Sequence, residues 1–273
     1  METSRVKMLA RKWYETLPFP EQWDLQFGQI LEKEEDLPEM KIVEYDAAAN
    51  KGAVEKNLIY FLYFCEEVQR KYLEKGISEK ILLDTLGDFV ICVERCISTT
   101  GRFGLAGTGW MIQHLNLRLF RLGRLQFCMD GCYQDIPEIG LKKGDNVLDV
   151  HIPRGESLKP ELYRESFAMA EQFFAKFFPE YQYEYYTCFS WMLDDVLHNF
   201  LKESSNILQF ASLFTVADRR PMDSILHFMF KYGIQDREEL RECGAATEFA
   251  RKVKEYALSG GVFYNTLGYR RRT

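Results

Sequence analysis

The sequence has no long uninterrupted apolar segment and no excess of positive charge. Its longest apolar run, residues 58–65, is far shorter than the roughly 20 residues that a membrane-spanning helix needs, so no membrane span is expected. The net charge is −6, whereas a protein that grips nucleic-acid phosphates needs a positive surface. We therefore expect neither a membrane protein nor a nucleic-acid-binding protein.

Histidine is scarce, and the cysteines lack the spacing of a metal site. There are 4 histidines and 7 cysteines. Cys92 and Cys96 are four residues apart, as are Cys128 and Cys132, but no histidine pair lies near either pair. Buried free thiols are therefore expected in preference to a structural zinc site. The odd cysteine count and the charged N-terminal segment predict a reducing, cytoplasmic setting, and no metal is expected.

The composition excludes a disordered chain. It is 47% hydrophobic and 15% aromatic, with 28% charged residues, which is typical of a globular protein with an aromatic core. A length of 273 residues accommodates one large domain or two smaller ones.

Apolar residues in the first hundred positions recur every three or four residues, which is the spacing of a helix face. The pattern predicts helices at Met8–Leu17, Glu21–Glu34, Ala53–Lys75 and Lys80–Ile97. A glycine-rich stretch follows at residues 101–109. It lacks the Lys-Ser/Thr pair and the preceding strand of a phosphate-binding P-loop, so we interpret it as a turn between domains.

Beyond residue 105 the pattern alternates between strands and helices, which indicates an α+β fold with α/β character. The most informative part is a strand at 146–152, a loop at 153–159, an amphipathic helix at 160–178 and a second strand at 183–193. The N–H groups and dipole of a helix N-terminus attract anions, so this loop is a potential anion cradle. The other predicted elements are one strand over Leu117–Met129 bent at Gly123, helices at Asp223–Lys231 and Asp236–Leu258, a strand at Leu213–Ala217 and a final edge strand at Val262–Tyr269.

Several sequence segments in this region resemble those of a bacterial family of GNAT-like acyltransferases with a separate helical N-terminal domain. They are LFRLGRLQF (119–127), VLDVHIPRGESL (147–158), ESFAMAEQFFAKFFPEY (165–181), TCFSWMLD (187–194) and SSNILQFASLF (204–214). The resemblance implies a helical domain over 1–105 and a GNAT-like domain of mixed sheet and flanking helices over 106–273. It also implies transfer of an acyl group from acyl-coenzyme A (acyl-CoA) to an amine, without a metal.

The resemblance further implies where the donor binds. A GNAT domain holds acyl-CoA in a V-shaped gap between two splayed parallel strands, with the pyrophosphate on backbone N–H groups of the next turn. In this chain the corresponding candidates are Ile152, Arg154, Gly155, Glu156, Ser157 and Lys159. However, the usual signature Gln/Arg-x-x-Gly-x-Gly/Ala is absent from 153–159, and its formal match at Arg241–Ala246 has no preceding strand. A degenerate loop fits a modified donor site, a different carrier, or no donor.

Three residues are candidates for catalysis. His151 ends a strand two residues after Asp149, and a neutral imidazole there could take a proton from an acceptor ammonium ion. Alternatively, it is a half-buried histidine bonded to a loop carbonyl. Cys188 and Ser190 share a strand face; either could protonate the departing thiolate, and Cys188 could carry a transient acyl group or be a small core residue.

The leading hypothesis is therefore an acyl-CoA-dependent N-acyltransferase that acts on a small-molecule amine or peptide. The alternative is a non-catalytic ligand- or partner-binding protein that retains a GNAT-like fold, which the missing signature favours. A third hypothesis is a partner-dependent scaffold, which would expose a large apolar patch on residues 1–100. The sequence identifies neither the acceptor nor the oligomeric state.

Overall fold

The computed structural model describes residues 4–46, 49–50, 52–230, 233–234 and 237–272. By internal contacts the chain divides into two compact units, Met1–Arg121 and Leu122–Thr273. Two predicted helix limits, at Lys231 and Asp236, lie outside the described residues.

The first unit is helical, as the spacing of its apolar residues predicted. Its helices are α1 (Arg5–Thr16), α2 (Asp24–Lys33), α3 (Val54–Lys75), α4 (Glu79–Leu86), α5 (Asp88–Thr100) and α6 (Thr108–Leu115). The single helix predicted over Lys80–Ile97 is two helices that meet at Gly87. The glycine-rich stretch 101–109 lies inside this unit, where the Leu105 N–H donates to the Val54 carbonyl at 2.7 Å.

The core of the first unit forms around α3. Its apolar face is fully buried at Leu58, Leu62 and Val68, and each such side chain contributes roughly 1.5–3 kcal/mol through burial. Helix α1 packs beside it and buries Trp13, whose indole N–H donates to Glu66 on α3 at 3.0 Å. In the described part of the chain, no helix combines the length and apolar character that crossing a membrane requires.

The second unit is built on strands β2 to β6 of a mixed sheet with strand order β1-β2-β3-β4-β6-β5, and the boundary between the units falls within β1. The strands are β1 (Leu119–Leu122), β2 (Leu125–Gly131), β3 (Asn146–His151), β4 (Tyr185–Ser190), β5 (Thr215–Pro221) and β6 (Tyr264–Arg271). Strands β3 and β4 are parallel, and the pairs β2–β3, β4–β6 and β5–β6 are antiparallel. The predicted α+β class with a mixed sheet is confirmed.

Helix α7 (Pro160–Phe177) connects the two parallel strands, as neighbours that run in the same direction require. It packs on one face of the sheet, where the ring of Phe167 lies 5.6 Å from Phe127 on β2 and 5.0 Å from Tyr186 on β4, between centroids. The remaining helices are α8 (Asn206–Ala211), α9 (Ser224–Met229), α10 (Arg237–Glu242) and α11 (Glu248–Leu258).

Three predicted elements were wrong in this unit. The strand expected over Leu117–Met129 is a hairpin, because Gly123 and Arg124 form a tight turn between β1 and β2. Gly123 has a φ of 68°, and a Cβ there would lie 2.9 Å from the Ser166 hydroxyl oxygen. The final strand, β6, lies between β4 and β5 and is not an edge strand. The late helix is interrupted at residues 243–247.

Candidate active site

The two parallel strands separate near their carboxyl ends. They pair at Leu148–Tyr186 and Asp149–Thr187, although β3 continues to His151 and β4 to Ser190. Each strand stays paired with its outer neighbour over this stretch, β3 with β2 and β4 with β6. The backbone pairing of the two strands therefore ends before either strand does, while each remains part of the sheet. The space between the strands beyond the last shared pair is called the gap below.

A chain of three polar side chains lies at the start of this gap. The Thr187 hydroxyl donates to Asp149 Oδ1 at 2.8 Å, and His151 Nε2 lies 3.0 Å from Asp149 Oδ2. A carboxylate only accepts hydrogen bonds, so this contact assigns the hydrogen of neutral His151 to Nε2 and makes Nδ1 the basic nitrogen. The His151 side chain is 31% exposed, so the imidazole is accessible to a ligand.

The other two catalytic candidates lie on the opposite face of the sheet from His151. Successive side chains of a strand alternate between faces, so Cys188 shares the α7-covered face with Tyr186. Cys188 is fully buried, and burial raises the pKa of its thiol well above the usual value. This thiol is a core side chain, and neither its accessibility nor its protonation suits acyl transfer.

Ser190 is more accessible than Cys188. It is half-buried at the end of β4, and its hydroxyl oxygen accepts a hydrogen bond from the Met192 N–H at 3.1 Å. This contact caps the short 3-10 turn at Trp191–Leu193. The hydroxyl hydrogen can still be directed toward a group at the end of the strand, because a hydroxyl accepts and donates at once.

The predicted donor loop is open on one side. Residues 154–157 are exposed, whereas Pro153 and Leu158 anchor the loop by burying their side chains. Gly155 has a φ of 128°, a conformation that favours glycine, and no atom approaches the position of a Cβ there within 4 Å. Ile152 is half-buried at the end of β3, and Lys159 is exposed at the N-cap of α7.

Arg124 contacts this loop from the turn between β1 and β2. Its guanidinium donates through Nη1 to the Pro153 carbonyl and through Nε to the Glu156 carbonyl, both at 2.9 Å. The residue is only 5% exposed. Neither this contact nor the bond from Thr187 to Asp149 is predicted by the sequence pattern. The available signal for Arg124 was the Gly-Arg pair in LFRLGRLQF, which is typical of a tight hairpin turn.

The described residues contain no cluster of three or more His, Cys, Asp or Glu side chains that could hold a metal ion. The Cys92 sulfur lies 3.1 Å from the Met111 sulfur, and the Cys96 sulfur lies 3.6 Å from the Thr100 hydroxyl oxygen. The four cysteines of the two pairs, Cys92 and Cys96, and Cys128 and Cys132, are all free thiols.

Two domain families match the chain. Residues 19–117 match the N-acyltransferase N-terminal domain, and residues 119–270 match the GNAT-like C-terminal domain. A search of curated proteins finds no match.

Solved structures of acyltransferases are similar to this chain. One in complex with decanoyl-CoA and teicoplanin is 30% identical, with a TM-score of 0.69 over 81% of this chain and 68% of that one. One in complex with decanoyl-CoA is 28% identical, with a TM-score of 0.70 over 80% and 66%. A third, in complex with CoA and 10C-teicoplanin, is 26% identical, with a TM-score of 0.70 over 98% and 85%. The chain belongs to the family of GNAT-like acyltransferases that carry a helical N-acyltransferase N-terminal domain.

Proposed function

We propose that this protein transfers an acyl group from acyl-CoA to the amine of a small molecule or peptide. The observation that carries the proposal is the divergence of β3 and β4 beyond Asp149 and Thr187, with His151 at the edge of the gap. The similar acyltransferases that contain decanoyl-CoA support a thioester donor, and those that contain teicoplanin or 10C-teicoplanin support an acceptor of peptide type.

The donor would lie across the gap and the loop that follows β3. An extended arm with amide groups fits between diverging strands because it can bond to strand backbone as an added strand does. The loop candidates Ile152, Arg154, Gly155, Glu156, Ser157 and Lys159 then surround the diphosphate. Arg154 and Lys159 add positive charge beside the N-terminus of α7, which itself attracts anions.

The proposed chemistry needs a base and a proton donor. The acceptor ammonium loses a proton to His151 Nδ1, and the freed nitrogen attacks the thioester carbonyl carbon. As the C–N bond forms, the C–S bond breaks and the coenzyme leaves as a thiolate. Asp149 stabilises the imidazolium that forms on His151. After the attack the nitrogen carries one proton more than the amide product, and this proton passes to the departing sulfur through the hydroxyl of Ser190, which accepts one proton and donates another. The imidazolium then returns its proton to solvent. Cys188 has no role in this scheme.

The competing function is a non-catalytic binding protein with a GNAT-like fold, which the missing pyrophosphate signature favours. A donor site that has lost its function is expected to be filled by side chains. Exposure of residues 154–157 and the open space beside Gly155 support the enzyme instead.

A cytoplasmic location is proposed on the state of the cysteines. All seven are free in the structure, which is typical of proteins kept in a reducing compartment. Mass spectrometry of the native protein under non-reducing conditions should find no disulfide, and a stoichiometric disulfide would contradict this location.

Calorimetry with decanoyl-CoA tests the donor site, and release of free CoA in the presence of an amine panel tests turnover. We expect saturable binding of one donor per chain, together with acylated product detectable by mass spectrometry. Absence of donor binding at millimolar concentration would contradict the proposal.

The variant His151→Gln separates binding from chemistry. It should bind decanoyl-CoA as the wild type does, with turnover lower by roughly 10²–10⁴-fold, the usual contribution of a general base. His198→Gln is a matched control, because His198 is exposed and pairs with Glu203 at 2.8 Å. Unchanged turnover in His151→Gln would remove His151 from the mechanism.

A further inference from the structure

We propose that Arg124 is a positioning residue for the donor diphosphate: from the β1–β2 turn, it orients the 153–157 backbone so that two N–H groups face away from the protein core. The inference rests on the proposed function, because it requires a CoA donor at this loop.

The two contacts of Arg124 span the loop. Its guanidinium donates to the carbonyl of Pro153 at the beginning and to that of Glu156 near the end, each at 2.9 Å. Gly155 lies between them in a conformation that favours glycine. One planar, rigid group thus holds two peptide units separated by two residues, which a flexible point charge such as lysine does not reproduce.

The geometry of the peptide bond determines the direction of the N–H groups that follow these two carbonyls. In a trans peptide the carbonyl and the N–H of the next residue point in opposite directions. The carbonyls of Pro153 and Glu156 point inward to Arg124, so the N–H groups of Arg154 and Ser157 point outward. Both residues are exposed. Two outward N–H donors, with Gly155 offering no side chain between them, form a surface suited to the oxygens of a diphosphate.

Arg124 is itself fixed by α7. Its backbone N–H donates to the hydroxyl oxygen of Ser166 at 2.8 Å, and the Leu125 N–H donates to the same oxygen at 3.3 Å. The Ser166 hydroxyl donates in turn to the Leu162 carbonyl at 2.9 Å. Hydrogen bonds therefore connect the hairpin turn, the loop and the first turns of the helix, and they restrict the conformations of the loop before any ligand binds.

The charge of Arg124 acts in the same direction. The guanidinium is buried behind the loop, in a region where electrostatic interactions are stronger than in water. A positive charge behind outward N–H groups raises their attraction for an anion. This loop lacks the glycine-containing signature of the family. In its place, an arginine from the neighbouring hairpin orders the loop backbone.

The test compares two donors that differ in the diphosphate, which is proposed to contact this loop, and in the nucleotide attached to it. Decanoyl-CoA carries the diphosphate and nucleotide, whereas decanoyl-pantetheine ends before them. Arg124→Met removes the charge and both donors, and Arg124→Lys retains the charge. Arg251→Met is the control for net charge, because Arg251 is an exposed residue of α11 that pairs with Glu248. Thermal melting establishes that each variant is folded.

Arg124→Met should weaken decanoyl-CoA binding by roughly tenfold to a hundredfold, the range expected for lost charged hydrogen bonds. Arg124→Lys should restore only part of this loss, and decanoyl-pantetheine binding should stay within about twofold of wild type. Equal weakening of both donors, full rescue by lysine, or unchanged decanoyl-CoA binding would each overturn the assignment. Failure of the wild type to bind decanoyl-CoA would instead contradict the proposed function.

Discussion

The Thr187 hydroxyl donates to Asp149 at 2.8 Å across the last register pair of the parallel strands β3 and β4. The backbone pairing and the side-chain bond end at the same position, so this bond lies where the sheet divides. Asp149 also contacts His151 at 3.0 Å. One carboxylate therefore connects the point of divergence to the proposed base.

Thr187→Val tests that connection with little change in shape. Valine removes the hydroxyl, and we expect the free energy of unfolding to fall by about 1 kcal/mol, the usual contribution of one hydrogen bond. Turnover should fall severalfold because Asp149 is then less well oriented. Chemical denaturation and kcat measure the two effects. Thr187→Ser retains the hydroxyl and should behave as the wild type; if it loses as much turnover as valine does, the hydrogen bond is not the cause.

Asp149→Asn tests the partner of the proposed base. The amide can donate to His151 and so favours the other tautomer, with Nε2 as the basic nitrogen. We expect kcat to fall by roughly tenfold or more, while the affinity for decanoyl-CoA is unchanged. Glu184→Gln is a control, because Glu184 is an exposed carboxylate that pairs with Arg271 at 2.5 Å. Equal kcat values for Asp149→Asn and the wild type would exclude this role.

Gly155→Ala tests the conformation of the proposed donor loop. A Cβ there meets no neighbouring atom within 4 Å, so its cost is backbone strain at a φ of 128°, about 1–3 kcal/mol. We expect weaker decanoyl-CoA binding by calorimetry, because the loop must relax away from the conformation that Arg124 holds. Gly244→Ala is the matched control, since Gly244 also has open space but no positive φ. Identical donor affinities in the two variants would show that the loop conformation is unimportant for binding.

Cys188→Ala tests whether the thiol has a chemical role. The side chain is fully buried, so the variant should lose about 1 kcal/mol of stability through the small cavity and retain its turnover. In the native wild type, thiol labelling followed by peptide mass mapping should modify half-buried Cys243 before Cys188. Burial that raises the pKa of the Cys188 thiol accounts for this order. Loss of turnover in a folded Cys188→Ala protein would restore the thiol to the mechanism.

The lowered pKa of Glu66 predicts that this side chain stabilises the first unit less at acid pH. Burial raises the pKa of Glu66, but hydrogen bonds from Lys12 and Trp13 outweigh burial and hold the pKa below its usual 4.5. A carboxyl group whose pKa is lower in the folded state stabilises the fold above the unfolded-state pKa, and this stabilisation is lost as the pH falls through the folded-state pKa.

Glu66→Gln should therefore cost about 1 kcal/mol or less at pH 7, because the side chain is 37% exposed and solvent screens the ion pair. The difference from wild type should shrink as the pH falls below 4.5. Urea denaturation at a series of pH values measures both. Glu74→Gln, which removes an exposed pair with Arg70, should show little effect at any pH. A pH-independent difference for Glu66→Gln would contradict the linkage.

Local elements of the site were predictable because their signals are local. The alternation of residues 146–152 predicted β3, and Pro160 at the first turn with aromatic residues every three or four positions predicted α7. The hairpin at Gly123 was not predictable from alternation alone, because the residues on both sides continue the same apolar pattern. Likewise, β6 is the last strand along the chain, and only its pairing with β4 and β5 places it inside the sheet.

The sequence by itself determined the helical first unit, the strand–loop–helix–strand segment around His151 and the family. The spacing of apolar residues in helices and strands, and the sequence segments typical of the family, are properties of residues that are close together in the chain. Only the tertiary structure decided that Thr187 contacts Asp149, that Cys188 is buried on the opposite face, and that Arg124 bonds to the loop at 153–157. Those contacts join residues between 29 and 38 positions apart. Their formation depends on strand register and packing, which arise when distant segments bury surface against each other.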